Sequence, residues 1–244
     1  MNYEKKSQIR EGKAKILFET TDPNCIIQHF KDDATAFNAL KKGTIKNKGA
    51  LNNSISTLIF KYLNEQGIPT HFVDTLNETD MVIKKLKMIP VECVVRNKAT
   101  GSICKRLGIE KGLTFEPPLV EYFYKSDELG DPLISESHIL YFKWSSDKEL
   151  MLMCSLSLKV NQVLVPLFKE ISLDLIDFKL EFGKDSSGKL FLADEFTPDG
   201  CRLWDLNSKE SMDKDRFRQD LGKVEEAYIE VHQRLQDYFK KEKA

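Results

Sequence analysis

Residues 173 to 202 read LDLIDFKLEFGKDSSGKLFLADEFTPDGCR, and in them Asp177, Lys179 and Glu181 alternate with Ile176, Phe178, Leu180 and Phe182. A period of two marks a strand with one face in a core, so the three charges share the other face. The cluster Lys184-Asp185-Ser186-Ser187-Gly188-Lys189 turns the chain, and Leu190 to Phe196 brings it back as the second strand of a β-hairpin. With the tip at Ser187-Gly188, Glu181 falls opposite Asp194. Directly opposed residues put their Cβ atoms about 5 Å apart. Two carboxylates at that distance repel by about 3 kcal/mol at an effective dielectric of about 20, so something positive belongs between them. A divalent cation fits, because magnesium in nucleotide enzymes is commonly held by one or two carboxylates together with substrate phosphates. The plain alternative is a carboxylate turned to solvent or paired with Lys179 or Lys189. Beyond the hairpin, Thr197-Pro198-Asp199-Gly200 is a turn signal that presents Asp199 and Arg202 close to the acidic pair.

Other cations stand where anions could be held. Residues 13 to 30 read as a hairpin, KAKILFET and CIIQHFK about the turn Asp22-Pro23-Asn24, with Lys13 and Lys15 on one face of its first strand. After Gly12 and beside a metal site they could grip a polyphosphate; alone they would be ordinary solvated edge lysines. VECVVRNKATGSICKRLG reads as a buried strand, a polar turn and a short helix opening near Gly101-Ser102. Free N–H groups at a helix start attract anions and a nearby arginine adds a bidentate grip, which makes Arg96 and Ser102 candidates for a substrate phosphate. Arg96 could equally pair with a carboxylate.

The elements around these groups follow from pattern. Lys31 to Lys48, with Lys41, Lys42, Lys46 and Lys48, has the composition of a mobile, solvated loop. An amphipathic helix runs from about Ala50 to Gln66, with Ile55, Leu58, Ile59, Tyr62 and Leu63 on its core side, and stops at Gly67. The strands HFVDTL and MVIKKLKM follow, Pro90 reads as a strand end, and a domain boundary is placed near Met88, dividing residues 1–87 from 88–244. Gly108 to Pro118 reads as loop and extended chain. Ser146 with Glu149 is a capping box opening a long helix that Pro166 should kink or break. A terminal helix is expected from about Lys214 to Lys241, with Phe217, Leu221, Val224, Tyr228, Val231 and Leu235 packed.

Bulk properties exclude several classes. The 244 residues balance 37 basic against 38 acidic side chains for a net charge of −1, so no global field draws the chain to nucleic acid or an anionic membrane. The N-terminus lacks an apolar signal region, and the longest greasy stretch, Leu150 to Leu158, is too short to span a bilayer, so a soluble cytoplasmic protein is expected. Cys25, Cys93, Cys104, Cys154 and Cys201 are odd in number and widely spaced, the pattern of reduced thiols. Neither a zinc cluster nor a nucleophilic serine motif is visible.

DFKLEFG, ADEFTPDGCRLWD and MDKDRFRQDLG, together with IREGKAKILFET, FKDDATAFNALKK, GALNNSIS, KKLKMIPVECVVRNKATGS and KRLGIEKG, closely resemble the SAICAR synthase family of purine biosynthesis. The resemblance runs nearly end to end. It implies an α+β fold in two lobes, a kinase-like N-terminal antiparallel sheet domain and a larger ATP-grasp-like domain, with ATP between them. It also implies a ligase that joins 5-aminoimidazole-4-carboxylate ribonucleotide to L-aspartate with ATP and Mg2+, as a homodimer. By the same resemblance Lys13 and Lys15 hold ATP phosphates, Lys85 to Met88 meet adenine, and Glu181 and Asp194 hold the metal. Arg96, Ser102 and Arg202 bind the ribonucleotide, Asp177, Lys179 and Asp199 order the reacting end, and Asp33 and Asn38 lie near the substrate. Cys201 departs from the serine often found in this family's PDGSR turn. A small-molecule kinase would share the ATP parts, but Asp177-Phe178 is followed by Lys179 and no D-F-G or H-R-D segment is present. A non-catalytic nucleotide-binding module would explain GKAK but not the charged face around Glu181.

Overall fold

The computed structural model describes residues 3–36 and 40–242. The chain opens with β1 (Gln8–Glu11), β2 (Lys15–Glu19) and β3 (Cys25–Phe30), the last two forming the hairpin expected about Asp22-Pro23-Asn24. Next come β4 (Asp33–Ala36), β5 (Lys41–Thr44), α1 (Lys48–Glu65), β6 (Phe72–Thr75) and β7 (Asp80–Lys84). An antiparallel sheet in the order β1-β2-β3-β7-β6 results, and α1 covers it with Ile55, Ile59, Phe60 and Leu63 at helical spacing. Within Lys31 to Lys48 the described residues form the two-stranded sheet β4-β5 in place of a loop, and Lys48 opens α1 in full burial.

The second sheet holds the acidic face. It contains β8 (Lys87–Lys98), then, after α2 (Ser102–Leu107), β9 (Thr114–Tyr124) and β10 (Leu133–Ile134). After α3 (Glu136–Tyr141) and α4 (Asp147–Glu170) come β11 (Leu173–Lys184), β12 (Leu190–Ala193) and β13 (Cys201–Asp205). The order is β10-β9-β8-β11-β12, with β13 also paired to β11. The two sheets meet where Thr70 bridges Leu192 and the His71 N–H donates to the Leu192 carbonyl at 2.8 Å.

Several expectations change in physically legible ways. Pro90 does not end a strand, because β8 runs through it beside a register shift opposite Glu181/Gly183, where a residue without an N–H is tolerated. Pro166 lies inside α4, which continues to Glu170. That helix is long and apolar enough to cross a membrane by length and composition, but Leu150, Met153, Leu156, Val160, Leu164 and Phe168 bury one side of it against the sheet. The terminal helix is two helices, α5 (Asp215–Arg218) and α6 (Val224–Lys241), separated by a turn in which Asp220, Gly222 and Lys223 take positive φ. Leu221 lies in that turn and is exposed.

The capping box of α4 is present in both directions, and Glu149 also accepts from Lys184 Nζ at 2.5 Å. That hydrogen bond, ahead of those from Ser146, lowers the Glu149 pKa to about 2. A carboxylate depressed in the folded state contributes stability fully above its unfolded pKa of about 4.3 and loses it as pH falls through about 2. Glu149→Gln is therefore expected to cost about 1 kcal/mol at pH 7. In acid denaturation followed by circular dichroism, the gap from the parent protein should close between about pH 4 and pH 2. A gap independent of pH would reject the assignment.

Candidate active site

The polar face of β11 forms the floor of the site, and its neighbours complete it. Asp177 lies across from Arg96 on β8 and from Arg202 on β13, while Glu181 lies across from Glu92 on β8. Asp194 is not opposite Glu181. The residue in that register is Ala193, because β11 and β12 enclose residues 185–189, an odd-numbered loop held by the Asp185 carboxylate, which accepts from the N–H groups of Ser187 and Lys189. Asp194 follows β12 at φ 65. The like-charged pair directly opposed on the sheet is thus Glu92 with Glu181.

Ammonium groups hold these carboxylates. Lys179 donates to Glu181 and, at 3.0 Å, to Asp194, with Glu92 at 3.4 Å; Lys125 binds Glu181 and Lys15 binds Asp194. Burial alone would lower the Lys179 pKa, but Asp194, Glu181 and Glu92 outweigh it and hold the ammonium well above the usual lysine range. Burial would raise Asp194, and Lys15, Lys179 and Lys125 instead hold it well below the usual carboxylate range. Glu92 and Glu195 have pKa values raised by burial, and Glu195 Oε2 is buried without a partner. The positive charge expected between Glu181 and Asp194 is supplied in this structure by Lys179.

One end of the floor is an alternating chain of charges. The Asp177 carboxylate accepts from Arg96 and Arg202, each at 2.8 Å; Arg96 continues to Glu121, and Arg202 to Asp215 at 2.8 Å. Arg106 joins Glu121 to the Ser102 hydroxyl. Gly101, at φ 65, holds a backbone conformation that favours glycine, and a Cβ there would lie 2.6 Å from the Arg202 guanidinium and push on its ion pairs.

Two cavities meet along the floor. One, of about 390 Å3, is lined by Lys179, Glu181, Asp199, Gly200, Lys214 and Arg218 among others. The other, of about 260 Å3, is largely apolar, with Leu17, Ile26, Ile83, Leu86 and Met88. Arg10, Lys15, Lys125, Glu181 and Asp194 line both. A flat apolar group fits the smaller cavity, a polyanion the cationic seam, and a second polar molecule the larger cavity.

A SAICAR synthetase family profile matches residues 8–235. The phosphoribosylaminoimidazole-succinocarboxamide synthase of Novosphingobium aromaticivorans is 53% identical over 234 residues, 95% of this chain and 90% of that protein. A crystal structure of the same-named enzyme from Ehrlichia chaffeensis superposes with a TM-score of 0.92 at 49% identity, covering 94% of this chain and 98% of that one. A SAICAR synthetase in complex with ADP has a TM-score of 0.90 at 45% identity, covering 93% and 96%. The chain belongs to the SAICAR synthetase family.

Within this family member the residues singled out from sequence fall into two groups. Lys15, Lys179, Glu181 and Asp194 converge at the seam, Lys13 lines the larger cavity while paired with Asp127 at 2.7 Å, and Met88 lines the smaller one. Lys85 is exposed, and its N–H donates to the Asn24 carbonyl; Lys84 and Leu86 on either side line the apolar cavity instead. Arg96, Ser102, Arg202 and Asp177 form the charged chain at the end of the floor, outside both cavities. Asp33 pairs with Lys31 at 2.6 Å near the rim, where Thr35 reaches the larger cavity; Asn38 lies outside the described residues.

Asp199 is enclosed. Its Oδ2 accepts from Lys48 at 2.6 Å and Asn52 at 3.1 Å, and its Oδ1 accepts from Tyr228 at 2.7 Å. Burial would raise this carboxyl, but Lys48 and Lys214 hold it well below the usual range. Cys201, at the position that departs from the family's serine, is buried on β13, and burial pushes its thiol well above the usual range, so it is not a nucleophile. Glu92, Lys125, Glu195, Lys214 and Arg218 carry no site role in the sequence reading, and Lys48 reads there as part of a solvated loop. For Glu92 a signal existed, a glutamate within the apolar strand VECVV.

Proposed function

We propose that this protein is the ATP-dependent ligase that joins 5-aminoimidazole-4-carboxylate ribonucleotide to L-aspartate, giving the succinocarboxamide ribonucleotide, ADP and phosphate in purine biosynthesis. The observation that carries the reading is the pair of cavities sharing one cationic and acidic seam, which suits a nucleotide and a second substrate meeting end to end. Adenine fills the apolar cavity beside Lys85 to Met88, and Lys13 and Lys15 face the phosphates. The ribonucleotide lies along β11. Its phosphate is anchored by Arg96, Ser102 and Arg202, and its carboxylate reaches Lys179, two residues or about 7 Å further along the strand. Asp177 and Asp199 keep the surrounding cations in place, and Asp33 stands near the rim beside Lys31.

The chemistry has two steps. An oxygen of the ribonucleotide carboxylate bonds to the terminal phosphorus of ATP as the bond to the ADP oxygen breaks, giving an acyl phosphate. The aspartate amine then bonds to the acyl carbon, loses a proton, and phosphate departs with the former carboxylate oxygen. Lys179, held charged by three carboxylates, offsets the negative charge that gathers on the transferring group.

Glu181 and Asp194 offer hard oxygen donors that fit magnesium. Among the described residues no three acidic, histidine or cysteine side chains form a complete cage, so an ion there would take its remaining oxygens from the nucleotide. Bound Mg2+ would neutralise phosphate charge. The all-N-terminal first sheet and the second sheet that starts at Lys87 support two lobes, residues 1–87 and 88–244. Exposed Tyr141, Phe142, Met151 and Leu152 around the α3–α4 junction support a homodimer, and the pathway supports a cytoplasmic location.

With oxygen-18 in the ribonucleotide carboxylate, one labelled atom per turnover should appear in the released phosphate. ADP and phosphate should form in equal amounts and only with both acceptor substrates present. Unlabelled phosphate, or full turnover without aspartate, would reject the ligase reading and leave that of a kinase or phosphatase.

A further inference from the structure

The polar face of β11 runs one position past Glu181. Asp177, Lys179 and Glu181 recur every two residues, and the next member of that series is Gly183, buried and paired with Met88 on β8 and Phe191 on β12. Where the floor passes from charged to apolar surroundings, it carries no side chain.

Backbone conformation does not require this glycine. It is not among the glycines at positive φ, and glycine inside a strand costs stability relative to alanine. Space requires it. A Cβ at Gly183 would lie 2.8 Å from Leu86 Cβ, 2.9 Å from Met88 Sδ and 3.2 Å from Leu86 Cδ1. The thioether can swing aside, because methionine is unbranched and flexible. Leu86 Cβ is fixed to its own main chain and yields only if the connection from β7 to β8 moves. Leu86 and Met88 are walls of the apolar cavity of about 260 Å3, and the bare Cα of Gly183 is what they rest on.

Resting on the ligase reading, which puts adenine in that cavity, we propose that Gly183 sets the depth of the base cavity and through it the choice of a purine nucleotide. Gly183 is a positioning residue that acts through Leu86 and Met88. With no side chain beneath them the two settle onto the sheet and leave room for a two-ring base. A methyl group at residue 183 pushes them forward, and the narrowed cavity then receives a one-ring base better than a purine. The strand also fixes the distance from base to metal-binding carboxylate, since Glu181 stands two residues or about 7 Å from Gly183.

Calorimetric titration of ADP and UDP, without magnesium, tests the proposal on the unmodified protein, Gly183→Ala, Leu86→Gly and the double variant. Gly183→Ala should weaken ADP by about tenfold or more while UDP stays within about twofold, so the purine preference falls. Made in the Leu86→Gly background, the same substitution should cost ADP less than about twofold, because the methyl group then meets no Cβ. Unchanged ADP affinity in Gly183→Ala, or ADP and UDP weakened by the same factor, would overturn the proposal and leave Gly183 a role in strand packing only. Circular dichroism certifies each fold. Should Gly183→Ala not fold, the double variant decides: a purine preference equal to that of Leu86→Gly supports the contact, and failure of the double variant to fold overturns it. Failure of the ligase reading is separate, as it would show in the unmodified protein as unlabelled phosphate from the oxygen-18 carboxylate.

Discussion

Glu181→Gln and Asp194→Asn are each expected to lower turnover by about 100-fold or more, the scale of losing a preorganised group that acts on developing charge. Both carboxylates line both cavities, and between them they hold Lys15, Lys125 and Lys179. Neutralising either one frees a lysine and removes a donor for magnesium at the same point. ADP binding measured by calorimetry should consequently lose its enhancement by Mg2+. The same variants should also melt lower without any metal, by about 2 kcal/mol for a half-shielded ion-pair cluster. Repulsion between two bare carboxylates would give the opposite sign, a gain on neutralisation. Metal-free melting temperatures therefore decide whether Lys179 occupies the gap, and near-parent turnover would remove both residues from the phosphate site.

Much of this site was legible because its signals are local. The alternation of Ile176, Phe178, Leu180 and Phe182 with Asp177, Lys179 and Glu181 needs only the two-residue period of a strand, and the core face is buried as that period requires. The Ser146–Glu149 cap is equally local, since both partners lie within one turn. Register was harder. It depends on whether the loop holds an even or odd number of residues, and the hydrogen bonds of Asp185 set the odd count that moves Asp194 past the end of the pair.

Partners from distant strands were not legible. Glu92 meets Glu181, and Lys125 meets it again, only because β8, β9 and β11 are neighbours in the sheet. A lysine-rich stretch such as Lys41 to Lys48 reads as solvated by composition, and nothing local distinguishes Lys48 from Lys46. What pairs Lys48 in burial is the arrival of Asp199, whose other oxygen is held by Tyr228 on α6. Gly222 did carry a usable signal against one continuous terminal helix.

Lys48→Met should be the most destabilising of these substitutions, by about 3 to 5 kcal/mol, because it strands a buried carboxylate that Lys48 neutralises. Lys48 is 0% exposed and Asp199 is nearly as deep, so little water can replace the lost ammonium. For a chain of this length that corresponds to roughly 10 °C in Tm. The pH dependence identifies the cause. In the parent protein Asp199 is depressed, so its contribution is present above its unfolded pKa and is lost only as pH falls below it. Without Lys48 burial is no longer outweighed, the folded-state pKa rises, and the variant loses stability as pH rises through the acidic range towards neutral. The difference between the two proteins should therefore be largest at pH 7 and shrink towards pH 4, and adding Asp199→Asn should recover part of it. A loss of stability that does not vary with pH would show that Lys48 only fills space.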